Sequence, residues 1–234
     1  RIDLSCRCLL VLDGKKRILF ETGIGSFFSP KYKERYGVQG TKHLLLENLS
    51  QMDLSDRDID VVVLSHLHFD HAGGLLSSWK KNESPKLLFP NATFLVGETQ
   101  WKRALSPHSR DKASYIPEIQ SLLEESGRLK LITAAHHNAL GLDYRFHFSD
   151  GHTPGLMLTE IKSSLGPVLF ASDLIPGRAW VHRSITMGYD RFPEQLIDEK
   201  VSLMTKLYRN GGRLFFTHDP NIAMARISLD NQGR

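Results

Sequence analysis

VVVLSHLHFDHAGGLL, residues 61–76, carries the decisive reading of this chain. It opens with a β-branched apolar run, the pattern of a short buried strand ending at Ser65. Four titratable side chains, His66, His68, Asp70 and His71, then fall within six positions. Groups that pay for desolvation do not crowd the end of a core strand unless something binds them. His66 and His68 stand two apart, so in extended backbone they point the same way and can reach one ion. Asp70 and His71 lie just beyond, where the chain is expected to turn towards a helix at Gly73-Gly74, and can reach a second. Glycine there is expected to let the backbone crowd against a filled site.

The same theme recurs at other strand ends. SDGHTPG (149–155), ASDLIPG (171–177) and FTHDP (216–220) each follow an apolar run, and they add His152, Asp173 and His218. Loops at the ends of a rigid sheet are where functional groups collect. The set holds five imidazoles and two carboxylates, donors that suit zinc first, with iron, manganese or cobalt as alternatives. Without a thiolate, a closed structural zinc site of the Cys-rich kind is disfavoured. Seven side chains shared by two ions of four to five coordination leave room for water, which is the mark of a catalytic centre. His43, His108, His136, His137 and His147 are read as ordinary hydrogen-bonded histidines, His43 on a helix.

Outward from these loops, the pattern predicts a mixed, layered α/β fold and not a pure parallel sheet. CLLVLDGKKRILFETG (8–23) reads as a hairpin around Asp13-Gly14. ATFLVG, RLKLIT, YRFHFS, LMLTEIK, PVLFAS and RLFFTH read as strands. Helices are expected in TKHLLLENLSQMDLS with Thr41 as N-cap, in ETQWKRAL, in PEIQSLLEESG with Pro117 at its start and Gly127 after its end, and in the long PEQLIDEKVSLMTKLYRNGG closed by Gly211 and Gly212. Residues 77–91 read as a surface loop.

Composition narrows the partners. The 234 residues are 41% hydrophobic and 24% charged, enough for a sizeable core and read as a single domain over 1–234. The +4 formal charge is dispersed, with no basic block longer than GKKR at 14–17, so nucleic acid is not expected as a partner. No apolar run reaches membrane-spanning length, so no membrane partner is expected. A small-molecule substrate is expected, with the oligomeric state open and a homodimer among the options. No signal-peptide pattern opens the chain, but its first residue is Arg1, so targeting stays open and a cytoplasmic setting is the expectation. Cys6 and Cys8, two apart, are read as small strand residues in a reducing compartment, because a disulfide between them would be strained.

Taken together, these motifs resemble the metallo-β-lactamase fold superfamily. The resemblance rests on His-x-His-x-Asp-His at 66–71, Gly-His-Thr-Pro-Gly at 151–155, Ser-Asp at 172–173, Thr-His-Asp at 217–219, and the ETGIG turn at 21–25. It covers about residues 6–220 and implies a four-layer αββα sandwich with metals at one edge. FSPKYKERYG, SHLHFDHAGG, RDKASYIPE and MGYDRFPEQLIDEK are similar to segments of the single-domain hydrolase branch that includes quorum-quenching N-acyl-homoserine lactonases. The resemblance implies that His66, His68 and His152 hold one metal, that Asp70, His71 and His218 hold the other, and that Asp173 bridges. It departs from the pattern at Leu156, at Glu21 in place of an early Asp, and at Pro176, where the studied lactonases carry an oxyanion-stabilising tyrosine.

The expected activity is binuclear, metal-dependent hydrolysis of an ester or lactone, with Asp70 and Asp173 as the catalytic carboxylates. Phe27, Phe28, Trp180, His182, Met187 and Tyr189 are expected to wall an apolar substrate pocket. Hydrolysis of phosphodiesters or phosphotriesters, and mononuclear iron persulfide dioxygenation, are the alternatives on the same fold. A binding protein would be expected to have lost ligands, and none of the seven is missing.

Overall fold

A computed structural model describes residues 2–228. It divides into two compact units, one of residues 8–96 and 101–131, the other of residues 2–7, 97–100 and 132–228.

The first unit is built on a sheet in the order β1 (Leu9–Asp13), β2 (Lys16–Phe20), β3 (Val61–Leu64), β4 (Thr93–Gly97), β5 (Leu129–Ile132). The β1/β2 hairpin pairs Leu10 with Leu19 and turns at Gly14, whose φ of 59° suits a residue without Cβ. β2, β3 and β4 run parallel. All four residues of β3 are buried, and each such Val or Leu contributes ~1.5–3 kcal/mol. The helices are α1 (Pro30–Tyr36), α2 (Leu44–Ser50), α3 (Phe69–Ala72), α4 (Glu98–Leu105), which enters this unit from Trp101 on, and α5 (Pro117–Glu125). Ile119 and Leu123 of α5 and Trp101 and Ala104 of α4 join Val62, Leu64, Phe94 and Val96 in one core.

The second unit has a sheet in the order β10 (Met224–Arg226), β9 (Arg213–Phe215), β8 (Val168–Phe170), β7 (Leu156–Ile161), β6 (Tyr144–Ser149). Only β8 and β9 are parallel. The long α6 (Pro193–Arg209) lays Leu196, Met204 and Leu207 on Leu156, Leu158, Leu169 and Leu214. Pro193 sits in its first turn, and Gly211 follows its end at φ 63°.

Several local expectations need correction. The helix expected from Thr41 begins at Leu44, and His43 occupies the cap position. Cys6 and Cys8 precede β1 and are not strand residues; both remain thiols. α1 went unread because its only apolar side chains are two tyrosines, although Pro30 and Gly37 mark its ends. β10, three residues long, is too short to carry a period. Among the described residues, no helix is long and apolar enough to cross a membrane.

Candidate metal centre

In the first unit the site grows from the end of β3. His66, His68 and His71 are buried, and the His66 ring lies 4.5 Å from His68 and 4.0 Å from His71 between centroids. Asp70 is more open, with 27% of its side chain exposed, and its Oδ2 is 3.7 Å from His71 Nε2. The ETG turn holds this loop from behind. Thr22 donates both its N–H and its hydroxyl to the His71 carbonyl, and Glu21 Oε1 accepts the Ser65 N–H at 3.1 Å. Glu21 is buried, sits at φ 63°, and lies 3.8 Å from His71 Nδ1. Its Oε2 is buried with no hydrogen-bond partner. A left-handed backbone at a non-glycine residue and an orphaned carboxylate oxygen both mark a strained functional position. Glu21, His66 and His71 bring ligand atoms within 4.8 Å of one another.

Gly73 and Gly74 do something other than crowd a metal. A Cβ on Gly74 would lie 2.0 Å from the Thr22 carbonyl oxygen, and one on Gly73 would lie 2.6 Å from the Ile24 carbonyl and the Phe27 ring. The two segments cross backbone to backbone, and only glycine permits that approach. His43 belongs to the same support. Its buried ring hydrogen-bonds the Gly74 carbonyl at 3.0 Å, and burial lowers its pKa, with that bond pulling the other way.

In the second unit three loops bring His152, Asp173 and His218 together. His152 Nε2 is 3.3 Å from Asp173 Oδ2, and His218 Nε2 is 3.0 Å from Asp173 Oδ1. The outer nitrogens are already committed. His152 Nδ1 donates to Asp190 Oδ1 at 2.8 Å, and His218 Nδ1 donates to the Ser5 carbonyl at 2.6 Å. A neutral imidazole with its proton on Nδ1 turns a lone pair out at Nε2. Both Nε2 atoms face the Asp173 carboxylate, an arrangement of donors that suits a cation held between them. The donor set thus fits a metal by its chemistry, and the outer partners are of the kind that orient metal-binding histidines. Cys6, not foreseen as a site residue, has its sulfur within 4.8 Å of the ligand nitrogen of His218.

Backbone anchors hold these loops. The Pro176 carbonyl accepts the N–H groups of His218 and Asp219, so the residue that departs from the lactonase pattern clamps a ligand loop. Burial pushes the Asp219 carboxyl up. Even so, the hydrogen bonds from Arg178, Ile222 and Asn221 hold it well below the usual carboxylate range. Glu199 of α6 accepts the Asp150 and Gly151 N–H groups and the Ser149 hydroxyl. Ser172, just before Asp173, is at φ 43°.

The expected pocket residues separate. Phe27 and Phe28 line a cavity of about 890 Å³ in the first unit, together with Tyr32, Tyr36, Trp79 and Tyr115. Phe28 stacks on Tyr36 at 5.2 Å, and Phe69, beside His68, packs on both. Tyr115 lies edge-on to His68 at 4.9 Å, so this cavity shares a wall with the metal loop. In the second unit Trp180 packs on the core beneath α6, His182 is exposed, and Met187 is buried. Tyr189 is 57% exposed, with its ring 6.0 Å from that of His152. The histidines left aside have local partners: His136 the Tyr144 carbonyl, His147 Glu160, and His108 and His137 nearby N–H groups.

Asp190, Glu199 and Tyr115 were not foreseen as site residues. MGYDRFPEQLIDEK and RDKASYIPE contain them, but nothing in either stretch marks an outer-shell carboxylate or a ring beside a ligand.

The clustered imidazoles and carboxylates define a metal-dependent enzyme. The metallo-beta-lactamase superfamily model matches residues 1–218, and the chain belongs to that superfamily. The fold of that superfamily is the expected one, an α/β sandwich with two central sheets flanked by helices. A probable metal-dependent hydrolase from Staphylococcus aureus is 25% identical with a TM-score of 0.85, covering 96% of this chain and 78% of that one. AidC, a dizinc quorum-quenching lactonase solved with a product, is 26% identical with a TM-score of 0.78, over 99% of this chain and 78% of that one. The 7,8-dihydropterin-6-methyl-4-(beta-D-ribofuranosyl)-aminobenzene-5'-phosphate synthase of Methanocaldococcus jannaschii is 34% identical over 79 residues. That stretch is 33% of this chain and 21% of the synthase.

Proposed function

We propose that this chain hydrolyses a neutral, partly apolar ester or lactone with two divalent metal ions, zinc by preference. The ligand partition is the one the family resemblance implies: His66, His68 and His152 for one ion, Asp70, His71 and His218 for the other, Asp173 shared. The observation that carries the reading is the pair of imidazoles pinned at Nδ1, with Nε2 turned on Asp173. When bound, the ions supply Lewis acidity and lower the pKa of a water towards about 7.

The chain's own residues supply the rest. Asp70, the more open of the two carboxylates in the set, orients a water and takes up its proton in this reading, which its exposure supports. Tyr189, exposed beside His152, offers a phenol to the departing alkoxide or the developing oxyanion, the role Pro176 cannot fill. The aromatic cavity next to His68 takes the apolar arm and keeps water from it. AidC, of similar fold and described as a dizinc lactonase, supports the substrate class.

The test pairs elemental analysis with a substrate panel. Protein purified without chelator should carry about two transition-metal ions per chain. Metal-loaded enzyme should turn over acyl-homoserine lactones or aryl esters and leave single-stranded RNA intact, since dispersed charge neutralises few successive phosphates. Chelator-sensitive cleavage of RNA or a phosphotriester, with no lactone or ester turned over, would overturn the reading. Tyr189→Phe should lower kcat about tenfold or more with little change in KM.

A further inference from the structure

Lys200 is a buried cation with no place in the chemistry above. It lies on α6 with 0% of its surface exposed. Its Nζ donates to the carbonyls of Trp180, His182 and Ile185 at 3.0, 2.9 and 2.7 Å. An ammonium has three N–H donors, so these contacts saturate it. All three acceptors belong to the segment that follows Asp173, a short 3-10 turn over Arg178–Val181 and the loop after it, which leads directly into Met187 and Asp190. Asp190 is buried in turn. Its Oδ2 accepts the Met187 N–H at 2.6 Å while its Oδ1 accepts a hydrogen bond from His152 Nδ1 at 2.8 Å. The Arg191 N–H then donates to the His152 carbonyl. Burial pulls the Lys200 ammonium down to about 8, with Asp190 as the carboxylate that opposes the shift. Burying an ammonium is costly, and here the return is three fixed loop carbonyls, with no ion-pair contact among the described residues.

We infer that Lys200 is a positioning residue for the metal centre: by gathering the carbonyls of residues 180, 182 and 185 it fixes the loop that lets Asp190 hold His152 in one tautomer, with Nε2 presented to the ion. The inference rests on the reading of His152 as a metal ligand. Lys200 touches neither substrate nor ion, and acts through Asp190.

The experiment compares wild type, Lys200→Met and Asp190→Asn at equal fold content by circular dichroism. Zinc affinity is measured by competition with a chromophoric chelator. The ¹⁵N shifts of the His152 ring in metal-free protein report which nitrogen carries the proton. Both variants should weaken the tighter zinc site by about 10–100-fold. In both, the His152 shifts should move from a pure Nδ1–H form towards a mixture. The double variant should cost less than the sum of the two, because both act on one loop. A Lys200→Met protein with lowered melting temperature but wild-type zinc affinity and an unchanged His152 tautomer would overturn the positioning role and leave the metal centre standing. Should Lys200→Met not fold, the outcome passes to Asp190→Asn, where unchanged affinity and tautomer break the same chain. Wild-type protein that binds no zinc at all would remove the metal reading, and this inference with it.

Discussion

The two ligand-bearing regions reach similar chemistry by opposite means. In the first unit, four candidate ligands come from one loop after one strand, and the ETG turn stitches that loop down mainly through backbone groups. In the second, His152, Asp173 and His218 come singly from three loops, and both histidines are aimed by partners distant in sequence, Asp190 and Ser5. A contiguous motif needs little outside help, since its spacing already sets direction. A dispersed one needs a prop for each member, and its geometry is only as firm as those props.

The largest test of that contrast is Asp173→Ala, which faces both histidines of the dispersed region. It should lower kcat/KM by more than the ~100-fold that outer partners typically carry. The control is the exposed His108→Ala, because His43 is buried against the Gly74 carbonyl and is not a neutral site. Equal activity in the two variants, at equal fold content, would remove Asp173 from the centre. Asp190→Asn against Glu21→Gln comes next. Glu21→Gln keeps an acceptor for the Ser65 N–H and should weaken metal binding less than about tenfold, below the effect of Asp190→Asn. The reverse order in a chelator competition would show that the contiguous loop depends on its prop after all.

Stability gives a smaller contrast. Gly74→Ala drives a methyl to 2.0 Å from a backbone oxygen, whereas Gly151→Ala meets Leu196 of α6 at 2.4 Å. Both should destabilise by ~1–3 kcal/mol or more, with Gly74→Ala the worse in urea titrations because its overlap with backbone is the deeper. The smallest effect concerns pH. The folded pKa of Lys200, about 8, lies below its ordinary 10.5, so the folded state binds fewer protons between those values. Its contribution to stability therefore rises as pH climbs through that window. The urea midpoint of wild type should gain on that of Lys200→Met from pH 8 to 10, and a flat difference would show that the ammonium keeps its ordinary pKa.

What the sequence made legible follows the same division. Strand periodicity and turn residues placed β1 to β9, and α4 read with both its ends, because Gly, Pro and alternating apolar residues act locally. His66, His68, Asp70 and His71 declared themselves by density alone. Asp190 did not, since a lone Asp between Tyr189 and Arg191 is an ordinary surface pattern until the fold buries it. The Phe28, Tyr36 and Phe69 cluster was half legible: the phenylalanines of 27–28 read as a wall, but α1, which brings Tyr32 and Tyr36 to them, has no apolar stripe to reveal it. Pro176 was read by the hydroxyl it lacks, while its role lies in the carbonyl it offers.

Helix α6 presents Leu196, Glu199 and Lys200 within five consecutive residues, each with a different task. Leu196 fills the space beside Gly151, Glu199 collects N–H groups at 149–151, and Lys200 collects carbonyls at 180–185. Adjacent side chains on a helix point about 100° apart, so a carboxylate and an ammonium side by side grip two different loops, one by its amides and the other by its oxygens. This makes the helix a ruler with a fixed zero. One residue inserted between Pro193 and Leu196 would turn every mark past its loop, and no change of composition elsewhere could restore the reading. The count from Phe192 to Lys200 is thus tied to the two loops that Glu199 and Lys200 hold.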